Sequence, residues 1–277
     1  MGAVTLQLDD FDLTEFLPVA AKFGTERYGF VVTPNVDHLI RYHEDSRFRE
    51  CYRAAAYVLL DSRFARRLLR LIKGMSPRVC TGSDLTAAVF SGLVASTDRV
   101  ILIGTSAEQV KALRQQYPLR NFHHHNPPMG FIKDPAAVEH CLDFIENLSP
   151  FRFCFLAIGS PQQEIIAHAL LKRGRARGLA LCVGASIDFL TGKEQRAPPE
   201  CFAVTGKEAA SDTADAGDTP VEPEQQRGRE SDEHTTGERA IRCKRLHRSA
   251  LPNPLNVACA ACGAPSAEGL RRPSTWT

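Results

Sequence analysis

The strongest constraint on this chain is an alternation. Over about residues 1–200, short apolar runs end in corners of glycine, hydroxyl, amide or acid residues and give way to helical patterns. "YGFVVTPN" (28–35), "YVLLD" (57–61), "DRVILIGTS" (98–106), "LRNFHHH" (119–125), "FRFCFLAIG" (151–159) and "GLALCVGAS" (178–186) read as strands. Between them lie helical patterns: "DHLIRYHEDSRFRECYRAA" (37–55) as one or two helices, and the basic "RFARRLLRLIKG" (63–74), ending at Gly74. "TGSDLTAAVFSGLV" (81–94) opens on capping residues, and further helices follow the later strands. This order predicts an α/β, Rossmann-like domain over 1–201, with a mainly parallel sheet and helices on both faces. Ligands of such sheets bind beyond the carboxyl ends of the strands. Five loops are predicted there, opening at Thr33, Asp61, Gly104, Gly159 and Gly184, and their convergence is the main functional signal.

The pattern stops near residue 202. Only ten of the 76 residues 202–277 are Val, Ile, Leu, Phe or Trp, too few to bury surface against the loss of chain entropy, so a disordered tail is expected there. The change follows "EQRAP" (194–198) abruptly, as a shifted reading frame would produce, and resequencing the locus tests that. A net charge of +2 gives no reason to expect a nucleic-acid partner. The opening "MGAVTLQLDDFDLTEF" is acidic and lacks the apolar core of a signal peptide. No run reaches 18 apolar residues, and nine cysteines without a secretory signal suggest reduced thiols, so a cytoplasmic setting is expected.

Several residues invite chemistry. Asp61 ends an apolar strand, where it either takes a proton as general base or caps the following helix. Arg78, ahead of "VCTGSD", has the donor fork to pair with phosphate oxygens. The arginines that follow Asp61 read mostly as a solvated helix face. "HHH" (123–125) resembles a metal site, but adjacent strand residues point to opposite faces, so no metal is expected. "DDFD" (9–12) lies outside the predicted rim and reads as solvated. Cys243, His247, Cys259 and Cys262 fit no standard zinc spacing. No Gly-x-Gly-x-x-Gly or Walker pattern opens any corner.

Taken in order, "VVTPNVDHL", "VLLDSR", "RVCTGSDL", "LAIGSPQQE" and "VGASIDFLTGKEQRAP" resemble the successive motifs of the WecG/TagA/CpsF glycosyltransferases of bacterial cell-surface polymer synthesis. The resemblance implies an inverting, metal-independent and cofactor-free transfer of a hexose or N-acetylhexosamine. The donor would be a UDP-sugar and the acceptor a sugar on a polyprenyl diphosphate, with work at the inner face of the membrane. Carried over by position, it makes Asp61 the catalytic base. Thr33, Asn35, Arg78, Ser83, Asp84, Gly159, Pro161, Gln163, Glu164 and Asp188 become substrate-binding residues. Gly159–Glu164 would hold the sugar nucleotide. Two departures stand out. The family's Pro-Asp-Gly around the base reads Leu60-Asp61-Ser62 here, which leaves the donor hexose open, and the aromatic and basic helices usual after Arg-Ala-Pro are replaced. Two alternatives follow: a paralogue that binds nucleotide-sugar without transferring it, and an unrelated nucleotide-binding oxidoreductase.

Overall fold

The computed structural model describes residues 5–194 and 241–244, all within one compact unit, Met1–Arg245. Its main sheet has six strands, all parallel: β2 (Tyr28–Val32), β3 (Tyr57–Val58), β4 (Arg99–Gly104), β5 (Asn121–His125), β6 (Phe153–Ala157) and β7 (Gly178–Cys182). Their spatial order is β3-β2-β7-β6-β4-β5. A second, two-stranded parallel sheet joins β1 (Leu6–Asp9) to β8 (Ile241–Lys244), with Leu6 opposite Ile241. The rest of the expected tail lies outside the described residues, as does the Cys/His set except for the backbone of Cys243.

Strand residues alternate between two cores, as a buried pleated sheet requires. Phe30, Val32, Cys154, Leu156, Ala180 and Cys182 face one side; Val31, Phe153, Phe155, Leu179 and Leu181 face the other. The first side is covered by α2 (Val36–Glu44), α3 (Ser46–Ala54), α4 (Arg63–Lys73), α7 (Pro135–Asn147) and α8 (Gln162–Arg173). The second is covered by α1 (Leu13–Phe23), α5 (Gly82–Gly92), α6 (Ala107–Gln116) and α9 (Ser186–Leu190). The expected α/β architecture with helices on both faces is what the chain adopts.

Local chemistry sets the boundaries. Residues 37–55 form two helices because Asp45 ends one and caps the next, accepting from the Arg47 and Phe48 N–H groups. Gly74 closes α4 in the left-handed conformation that glycine adopts without steric cost. β3 is shorter than the sequence suggests. Leu59 and Leu60 nevertheless continue extended beside β2, with the Leu59 N–H on the Val32 carbonyl and the Asp61 N–H on that of Pro34. At the opposite side of the rim Gly104 is required: a Cβ there would sit 2.4 Å from the Ala157 carbonyl oxygen.

The sequence reading assigned nothing to β1 and α1. In α1, Pro18 interrupts the helical pattern. Two of the "DDFD" carboxylates are not the solvated groups expected, while Asp12 stays partly exposed. Asp9 accepts from the Val58 N–H at 2.9 Å, Asp10 from the Arg78 N–H at 2.8 Å, and Asp12 caps α1. Asp9 and Asp10 fasten the N-terminal segment to the edge of the sheet.

Candidate active site

Because all six strands are parallel, their exit loops share one edge. At that edge β2 feeds α2 on the first face while its neighbour β7 feeds α9 on the second, so the chain diverges between them. Such a divergence opens a crevice, the usual ligand position in this architecture. Thr33 leaves β2 on one side, and Ser186 follows β7 on the other.

The N-terminus of α5 closes this crevice. Helix α5 is fixed by its apolar face: Leu85, Val89 and Phe90 are buried, and Phe90 stacks on Phe155 of β6 with ring centroids 4.5 Å apart. Thr81 caps the helix, accepting from the Asp84 N–H at 3.1 Å and donating to Asp84 Oδ2 at 2.7 Å. Its first residue is Gly82. A Cβ there would lie 2.9 Å from Thr33 Oγ1 and 3.4 Å from Ser186 Oγ, so two hydroxyls reach this backbone only because it carries no side chain.

Asp61 meets the same point: its Oδ1 accepts from the Gly82 N–H at 2.9 Å. The alternative role for Asp61, capping the helix that follows it, belongs to its neighbour. Ser62 Oγ accepts from the Ala65 N–H and starts α4. The half-buried Asp61 carboxylate therefore points across the rim to α5 rather than down its own helix. Thr33, Asp61, Gly82 and Ser186 come together from four separate elements. Nearby, the buried Cys80 thiol is pushed up to about 12 by burial and by the facing carboxylates of Asp61, Asp84 and Asp12. A thiol so held is a packing group, not a nucleophile.

The Gly159–Glu164 corner is wired differently. Gln163 is buried with both ends of its amide engaged: Oε1 accepts from the Gly184 N–H at 2.9 Å and Nε2 donates to Glu164 Oε1 at 2.9 Å. Gln163 thus clamps the β6 exit to the β7 exit. Burial pushes the Glu164 carboxyl up against the opposing effect of that bond. Arg41 of α2 donates to Ser160 Oγ at 3.0 Å, which brings a cation to this corner. Gly159 has φ +75°, and a Cβ built on it meets nothing within 4 Å.

The other expected residues are tied into the scaffold. Asn35 caps α2, accepting from the His38 N–H. Asp188 Oδ1 accepts from Gln109 of α6 and pairs with Lys193. The Arg78 guanidinium pairs with Glu15 and lies 3.7 Å from Asp12. His124 contacts the Gly104 carbonyl, His123 contacts Asn121, and the His125 ring packs on His140 and Phe144. Among the described residues no group of three His, Cys, Asp or Glu side chains is placed to hold a metal ion. The five cysteines whose side chains are described are buried free thiols.

Four rim residues escaped the sequence reading. Gly82 carried a signal, since glycine in the first turn of an otherwise good helix implies a close approach. Ser186 and Arg41 carried none beyond their loop or helix. Thr105, at the exit of β4, adopts φ +74°, a strained conformation for a β-branched residue, with its Oγ1 buried and unpartnered.

Residues 3–204 match the glycosyl transferase WecG/TagA/CpsF family. The chain belongs to this family. The match spans the whole described α/β domain apart from β8 and ends where the sequence changes character. As a WecG/TagA/CpsF protein, the chain is placed among glycosyltransferases of cell-surface polymer synthesis. This takes the place of the oxidoreductase alternative. No curated protein sequence matches the chain. No helix among the described residues is long and apolar enough to cross a membrane.

Proposed function

We propose that the chain transfers a hexose or N-acetylhexosamine, with inversion, from a UDP-sugar to a sugar carried on a polyprenyl diphosphate at the membrane surface. The observation that carries this reading is Asp61. Its carboxylate sits at the carboxyl edge of the sheet, is aimed by the Gly82 N–H, and is relieved of capping α4 by Ser62.

In this reading the acceptor hydroxyl enters beside Asp61. Its oxygen bonds to the anomeric carbon, the bond from that carbon to the diphosphate breaks, and Asp61 takes the hydroxyl proton. Thr33 and Ser186 flank the same position and orient the sugars. The carboxylates near Cys80 make this corner unsuited to a diphosphate. The leaving group is better matched to the Gly159 corner, where the α8 N-terminus and Arg41 favour negative charge. Arg78, already paired with acids of the N-terminal segment, would have to exchange those partners to bind phosphate.

The test is calorimetric titration of the full chain and of Asp61→Asn with UDP, without added metal, followed by a transfer assay on a lipid-linked acceptor. Both proteins are expected to bind UDP alike, with product formation about 10²–10⁴ slower in the variant. UDP binding without product from the unaltered chain would favour the binding-only paralogue. No UDP binding by either would refute the nucleotide-sugar reading.

A further inference from the structure

Helix α4 buries only Ala65 and Leu69 of its apolar residues. Phe64, Leu68, Leu71 and Ile72 are 51%, 42%, 84% and 64% exposed, at spacings of four, seven and eight residues that form one stripe. The rest of the helix is Arg63, Arg66, Arg67, Arg70 and Lys73, with no acidic residue. Wound at 3.6 residues per turn, the basic and apolar residues fall on separate arcs. None of Arg63, Arg66, Arg70 and Lys73 forms an ion pair among the described residues.

We propose that the outer face of α4 docks on an anionic lipid bilayer, the apolar stripe entering the headgroup boundary and the basic arc meeting lipid phosphates. A strongly amphipathic helix with leucine and phenylalanine on one face and arginine on the other suits that boundary. Charge selects this occupant over a second copy. A symmetric interface would set the same cations against themselves, whereas an anionic surface attracts each of them. The inference deepens the transferase reading. Helix α4 is capped by Ser62, the residue after Asp61, so a bilayer holding it brings a lipid-linked acceptor to the proposed base.

The test is co-sedimentation of the full chain with vesicles of phosphatidylcholine, alone or mixed with phosphatidylglycerol. Binding is expected only to the mixed vesicles and is lost as salt rises. It weakens about tenfold or more in a Leu71→Ser, Ile72→Ser variant and about fivefold for each of Arg63→Gln and Arg70→Gln. These side chains are exposed, so circular dichroism and UDP titration of the variants remain those of the unaltered chain. Failure of docking is thereby read separately from failure of the transferase assignment. Equal binding to neutral vesicles, binding undiminished in the variants, or a self-association that the Leu71 and Ile72 changes abolish would overturn the proposal.

Discussion

At Gly159–Glu164 the polar side chains bond to each other as well as to backbone, whereas around Gly82 those of Asp61, Thr33 and Ser186 bond to backbone, and the two hydroxyls crowd a position that has no side chain. The two corners have similar compositions. In the first, Gln163 uses both ends of its amide to join two loops, and Glu164 is sealed beneath it. In the second, a carboxylate accepts from the Gly82 N–H at a helix start, while the Thr33 and Ser186 hydroxyls, donating to the Cys182 and Val183 carbonyls, crowd the place where a Cβ would stand. Rim composition announces a candidate site, but partner geometry separates the group proposed to do chemistry from the group that holds the loop.

That contrast is broken most directly at Asp61. Asparagine keeps an acceptor for the Gly82 N–H while removing the proposed base. Asp61→Asn should therefore cost about 10²–10⁴ in transfer rate while changing unfolding free energy by less than about 1 kcal/mol. A large stability loss with little change in rate would make Asp61 a fastening group like Gln163. The converse holds for Gln163→Leu. It leaves the Gly184 N–H and Glu164 without their partner, and denaturant unfolding should show a loss of about 3 kcal/mol. UDP affinity of the folded fraction should change little; a large loss of affinity at unchanged stability would move Gln163 into the binding site.

A third measurement uses pH. Burial, and secondarily Arg41, push His38 down from 6.5 to about 4, where its Nδ1 contacts the Tyr52 hydroxyl at 3.0 Å. Between those values the unfolded chain binds more protons than the folded one. Stability is therefore complete above pH 6.5 and drains as pH falls toward 4, by up to about 3 kcal/mol. Urea midpoints across this range should decline more steeply for the unaltered chain than for His38→Gln. Glu164, raised by burial, has the opposite sign: its contribution weakens as pH climbs through and above the ordinary carboxylate range. The smallest effect is expected at Arg78, whose acidic partners are about 40% exposed. Arg78→Met should cost less than about 1 kcal/mol by thermal unfolding. A marked fall in UDP affinity in the same variant would show that the arginine changes partners when ligand arrives.

Much of this architecture was legible in the chain. Strand runs, capping residues and Gly74 announced α2 to α8 because each depends on neighbours within a few residues. The five rim loops followed from parallel strands, and Asp61 followed from its position at the end of one. The first strand and helix were not legible. Asp9 and Asp10 serve as acceptors for backbone groups 49 and 68 residues away, and no local pattern records that. The pairing of β1 with β8 spans more than two hundred residues and is equally silent in composition.

Sequence by itself thus determined the layered α/β class, the family, and which residue types face the ligand edge, because period, capping and corner chemistry act over one or two turns of chain. Tertiary structure alone decided what each of those residues does. It gave the cap of α4 to Ser62 and so left Asp61 to face α5. It spent the amide of Gln163 on a neighbouring loop, and it set Thr33 and Ser186 against Gly82. Each of these outcomes is a hydrogen bond or a close approach between distant segments. Such contacts are fixed only when the two cores pack and bring those segments within about 3 Å.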